Sequence, residues 1–69
     1  MKIEFSNSKY IREYGRNPKG GYGYWGFECE GYEFWAYGTL TEAKKQVREQ
    51  IKAKAPKDYK GYVIAYILP

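Results

Sequence analysis

The side chains able to do covalent or acid–base chemistry are few. There is one cysteine, Cys29, and no histidine. A cysteine nucleophile needs a base beside it and access to solvent. Cys29 has no histidine to serve it, and the alternation of its segment turns it inward, so its expected role is in the core. General acid–base work at neutral pH most often falls to histidine, and paired-carboxylate catalysis needs two acids across a cleft. The only aspartate, Asp58, is placed in a turn after a helix, and Glu28 and Glu33 read as diagonal neighbours at a solvated hairpin tip. Lys19-Gly20-Gly21-Tyr22-Gly23 is glycine-rich but lacks the Lys-Ser/Thr ending and the strand–loop–helix setting of a phosphate-cradling loop. These residues set no catalytic, cofactor or metal site, and the expectation is a protein that is not an enzyme.

The constellations that remain are built for binding. Aromatic residues make up 20% of the chain, with nine tyrosines and two tryptophans, and twelve Lys and Arg against eight acids give a net charge of +4. Tyr24, Trp35 and Tyr37 recur at alternate positions of two adjoining segments, so they share a face. Arg12, Arg16 and Lys19 are interleaved with Tyr10 and Tyr14 in the stretch before them. At 100° per residue, Lys44, Lys45, Arg48 and Lys52 gather on one side of a helix, with Glu42, Gln46, Glu49 and Gln50 on the other flank. A basic ridge can track phosphates, and it equally describes a solvated helix face. Aromatic rings on a sheet can stack bases, shield a glycine on the next strand (Trp35 faces Gly26) or anchor a protein interface.

The elements that must position these side chains follow from pattern. Lys2 to Phe5 alternates as a first strand. Within Ser6 to Gly21, Pro18 and the paired glycines mark a turn or loop, while Lys9 to Tyr14 fits either irregular chain or a helical turn. Tyr22–Cys29 and Tyr32–Tyr37 are strands joined by Glu30-Gly31, a two-residue connection that signals a tight hairpin. The register that follows sets Cys29 opposite Tyr32, Phe27 opposite Phe34 and Trp25 opposite Ala36. Trp25, Phe27, Cys29, Phe34 and Ala36 are then core, and Tyr24, Trp35 and Tyr37 lie on the other face. Thr39-Leu40-Thr41-Glu42 has capping-box spacing and opens a helix from Leu40 to about Ala55, stopped at Pro56, with Leu40, Ala43, Val47 and Ile51 as its apolar stripe. Tyr62 to Leu68 is apolar on both faces and reads as a central strand.

The expected fold is α+β, a single domain over residues 1–69. It is a two-layer sandwich of about four strands, antiparallel-dominated and ordered β-β-β-α-β, with one helix on one face. No segment has the length of a membrane span, the amino terminus lacks the apolar run of a signal peptide, and a lone cysteine suits a reducing compartment. The expected setting is a cytoplasm, with no membrane partner.

Arg16-x-Pro18-x-Gly20-x-x-Gly23-x-Trp25-x-Phe27, Gly31-Tyr32 and Thr41-Glu42-Ala43-Lys44-Lys45 together resemble a class of short proteins encoded by phages and mobile elements. The resemblance covers roughly Arg16 to Lys45. It implies a bacterial host cell and a class that includes anti-CRISPR inhibitors, which occupy a surface of an effector complex. On that basis Tyr24, Trp35 and Tyr37 would anchor a protein or nucleoprotein partner, with Arg12, Arg16, Lys19, Lys44, Arg48 and Lys52 supplying charge. Direct binding of DNA or RNA through the same residues is the alternative, and homodimerisation through the aromatic face is a second one.

Overall fold

The computed structural model describes residues 2–54 and 61–69. The Pro56 helix stop and the Asp58 turn expected from the sequence lie outside them. Six elements follow in order: β1 (Lys2–Ser6), α1 (Ser8–Tyr14), β2 (Gly23–Cys29), β3 (Tyr32–Gly38), α2 (Leu40–Lys54) and β4 (Tyr62–Ile67). The four strands form one sheet in the order β1-β4-β2-β3. β2 runs antiparallel to both β3 and β4, whereas β1 runs parallel to β4. The fold is therefore α+β with a mixed sheet, and β4 is central as its two-sided apolar pattern implied.

The hairpin forms with the register its turn dictates. Cys29 pairs with Tyr32, Phe27 with Phe34 and Trp25 with Ala36. Both turn residues have positive φ, 53° at Glu30 and 82° at Gly31, which is the backbone of the primed turn that matches strand twist. Glycine enters that region freely. The same register sets Glu28 directly across from Glu33, not diagonally as expected from the sequence. The two-residue turn leaves no slack for an offset.

The core face of the sheet packs under α2. Phe27, Phe34, Ala36, Val63, Ala65 and Ile67 are buried against Ala43, Val47 and Ile51 of the helix stripe, with Leu40 partly buried at its start. Phe27, Ile67 and Val47 are fully enclosed, each stabilising the fold by roughly 1.5–3 kcal/mol through burial. Phe5 meets Phe27 edge-on at 5.4 Å. Trp25 departs from the expected core set, since it is only half-buried. Its indole Nε1 donates to the carbonyls of Gly21 and Gly38, both at 3.1 Å, so the ring seals the open end of the hairpin. The capping box closes as its spacing requires: Thr39 N–H donates to Glu42 Oε1 at 2.9 Å, and Glu42 N–H donates to Thr39 Oγ1 at 3.3 Å.

A second helix, α1, adds to the single one read from the pattern. It is one of the two outcomes left open for Lys9 to Tyr14. Its signals are weak: Asn7 precedes it without a side-chain cap, and no acid stands in its first turn. What holds it is tertiary. Lys9 pairs with Glu28 and lies 4.6 Å from the Tyr66 ring, and Tyr10 packs against the core. The helix closes where Gly15 N–H donates to Ile11 O at 2.7 Å.

Candidate functional site

Strand alternation fixes what the uncovered face carries. Core side chains on β2 and β3 point toward α2, so Tyr24, Gly26, Glu28, Glu33, Trp35 and Tyr37 share the opposite face. The carbonyls of Trp35 and Tyr37 point away from β2, toward the amides of Gln50 and Gln46. The pairs Gly26–Trp35 and Tyr24–Tyr37 are therefore the non-hydrogen-bonded sites of the ladder, where opposed side chains come closest.

That geometry builds a continuous run of rings. Tyr24 stacks on Trp35 with centroids 5.1 Å apart and planes 22° apart, and it meets Tyr37 at 4.3 Å and 31°. Trp35 lies flat on the backbone of Gly26, so a Cβ placed there would stand 2.4 Å from the indole Cζ3. The indole nitrogen donates to Glu33 Oε1 at 3.3 Å. The ring is thus held by the strand beneath it, by Tyr24 beside it and by Glu33 at its edge. All three rings remain open to solvent, at 56% for Tyr24, 40% for Trp35 and 62% for Tyr37. This is a preformed, ordered aromatic ladder on the face that α2 does not cover.

Its electrostatic surroundings are mixed. Glu28 is matched by Lys9, while Glu33 faces it across the strands with no cation among the described residues. Next to Glu28, a shallow groove of about 490 Å³ runs between the hairpin tip and β4, lined by Lys9, Glu30, Tyr62, Ile64 and Tyr66 among others. Within it the Glu28 carboxylate is engaged by the Lys9 ammonium. Cys29 is buried. Burial, and then the Glu30 carboxylate, push its thiol pKa upward, which lowers the thiolate fraction and blunts nucleophilicity. Among the described residues, no three His, Cys, Asp or Glu side chains gather to hold a metal ion, and no helix is long and apolar enough to cross a membrane.

The structure brings together only part of the residue set singled out from the sequence. Tyr24, Trp35 and Tyr37 form one surface. Lys44, Arg48 and Lys52 ride on α2 and so lie across the sheet from that surface. Lys44 and Arg48 lean toward β1, 5.6 Å and 5.4 Å from the Phe5 ring. Arg12 is exposed on α1, Arg16 sits 5.7 Å from the Tyr14 ring, and Lys19 is exposed in the following loop. Two partners were not singled out by sequence reasoning. Gln46 and Gln50 read as the polar flank of α2, yet they donate to the Tyr37 carbonyl at 2.9 Å and the Trp35 carbonyl at 3.3 Å, fixing the ladder strand from behind. Their four-residue spacing beside the apolar stripe is the signal that identifies them. The chain matches no protein family, no curated protein and no solved structure.

Proposed function

We propose that this chain is a non-catalytic binding protein that docks a protein surface through Tyr24, Trp35 and Tyr37. In the phage-type setting that its sequence pattern implies, the docked surface belongs to a nucleic-acid-handling complex, which the protein inhibits by occupancy. The observation that carries the reading is the ladder itself. Three large side chains are ordered before any partner arrives, so little rotamer entropy remains to be lost on docking. Tyrosine and tryptophan in that state are the usual anchors of a protein interface.

Two features favour protein over bases as the occupant. Single-strand binders stack bases on open ring faces. Here Tyr24 is engaged by both neighbours and one face of Trp35 rests on Gly26, so fewer ring faces are free to stack a base than in an array of separate rings. Glu33, which has no cation beside it among the described residues, also sets negative charge at the edge of the rings, which repels phosphates and accepts donors from a protein.

The test combines two assays. Purified CRISPR effector complexes are assayed for target cleavage with the wild-type protein, Trp35→Ala, and Lys44→Glu with Arg48→Glu, after circular dichroism has shown each variant folded. The expected result is inhibition of an effector that is lost in Trp35→Ala and kept in the charge-reversed variant. Labelled oligonucleotides titrated at two salt concentrations supply the opposing outcome. Binding tighter than about 10 µM in dilute salt, falling with log salt by roughly 0.7–0.9 per phosphate contact, overturns the protein-docking reading. A stable dimer in light scattering that Trp35→Ala dissolves overturns it as well.

A further inference from the structure

The two margins of the sheet are finished differently. At β3, the outward carbonyls of Trp35 and Tyr37 are taken by Gln50 and Gln46. At β1 the pattern of backbone groups follows from one bond. Lys2 N–H donates to Gly61 O at 3.2 Å, so Lys2, Glu4 and Ser6 turn their amides toward β4, and Ile3 and Phe5 turn theirs outward. None of those four outward donors and acceptors has a partner among the described residues. α1 does not shield them, because it turns inward across β4 to bring Lys9 onto Tyr66 and Glu28. β1 also lacks the proline, bulge or inward charge that usually blunts an edge.

The charge beside this open margin is one-sided. Lys44 and Arg48 stand over Phe5 on the α2 side, and neither pairs with a carboxylate among the described residues. On the other side Lys2 is paired with Glu4 at 3.8 Å. Neighbouring strands lie about 4.8 Å apart and their side chains alternate between faces. A guest strand beside β1 would thus place every second side chain on the sheet face that carries Lys44 and Arg48, and the rest on the face of the self-neutralised Lys2–Glu4 pair.

We infer that the β1 edge accepts an extended acidic segment of a partner protein as a fifth strand, with the Ile3 and Phe5 amides supplying the hydrogen bonds and Lys44 and Arg48 selecting carboxylates at alternate positions. This is strand addition, in which backbone pairing gives affinity and alternate side chains give specificity. It uses a surface separate from the aromatic ladder and does not depend on the ladder's role.

The probe is a short end-blocked peptide alternating threonine and glutamate, followed by amide-resolved NMR on the whole chain. On saturation, hydrogen exchange at Ile3 and Phe5 slows while Trp35 and Tyr37 are unmoved. A peptide with lysine in place of glutamate, and one N-methylated at alternate amides, each bind about tenfold or more weakly, as does the glutamate peptide to Lys44→Gln with Arg48→Gln. Three results overturn the inference. One is equal binding of the lysine or N-methylated peptide. Another is protection of Ile3 and Phe5 that rises with protein concentration alone, which assigns the edge to a second copy. The third is a single-stranded oligonucleotide displacing the glutamate peptide at equal concentration, which assigns the cations to phosphates.

Discussion

Gly26→Ala tests whether the aromatic ladder rests on a missing side chain. The backbone at Gly26 does not lie in the left-handed region, so alanine fits it without strain. A glycine-to-alanine change inside a strand ordinarily gains roughly 0.5–1 kcal/mol from chain entropy. The indole reverses the sign. An added Cβ would meet Trp35 at 2.4, 2.5 and 2.8 Å, where ordinary contact starts at 3.4 Å, so the ring must rise by about 1 Å. Overpacking of this kind costs about 1–3 kcal/mol, and a loosened Tyr24 stack adds about 0.5–1.5 kcal/mol. The net expectation is a loss of about 1–3 kcal/mol after the entropic gain. Chemical denaturation of wild type, Gly26→Ala, Trp35→Ala and the double variant closes the thermodynamic cycle. In the Trp35→Ala background Gly26→Ala should be neutral or stabilising. An equal loss in both backgrounds, or no loss in the wild type, refutes the argument that the indole occupies the space of a Gly26 side chain.

Phe27→Ala should lose about 3–5 kcal/mol, comparable with the whole stability of a small domain, because the ring is fully buried against Phe5 and the α2 stripe; a mild effect in thermal melts would misplace the core. Gln46→Ala with Gln50→Ala should cost roughly 0.5–1.5 kcal/mol per lost hydrogen bond and make light scattering rise with concentration, since the β3 edge becomes a pairing template. Hydrogen bonds from the Thr39 backbone, then from its side chain, hold the Glu42 carboxyl below its usual pKa. A depressed folded pKa contributes stability above the unfolded value and loses it as pH falls through the folded one. Glu42→Gln should therefore lower the melting temperature at neutral pH, with the gap to wild type closing in acid; a gap that persists there contradicts the capping role.

The parts of the fold legible in the sequence are those encoded within a few residues. Glu30-Gly31 fixes a hairpin whose register assigns seven cross-strand pairs, and Thr39 with Glu42 fixes where α2 begins. The sidedness of Tyr24, Trp35 and Tyr37 follows from that register alone. The parallel pairing of β1 with β4 joins Lys2 to Tyr62 and has no local signature, because the order of strands in a sheet is decided by packing across the whole chain. α1 was equally faint, since a short helix with a weak cap depends on Lys9 finding Glu28 and Tyr66. Charge periodicity gathers Lys44, Arg48 and Lys52 on one flank of α2, but only the assembled sheet reveals that Lys44 and Arg48 reach the Phe5 ring, on the face opposite the aromatic ladder.

The position of β4 has a kinetic consequence. β2, β3 and α2 are contiguous in sequence and can associate as soon as they exist, through short loop closures. β1 precedes them in sequence, yet among the described residues it pairs with β4, which follows all of them. Until β4 inserts, the first strand has nothing to pair with, and Phe27 and Val47 lack the cover that Val63, Ala65 and Ile67 give them. Joining the two ends closes a loop spanning nearly the whole chain, and such long-range parallel contacts are slow to form. The expected rate-limiting step of folding is then the arrival of β4 between two waiting neighbours. Substitutions in β4 should slow folding, while those at the hairpin tip should act mainly on unfolding.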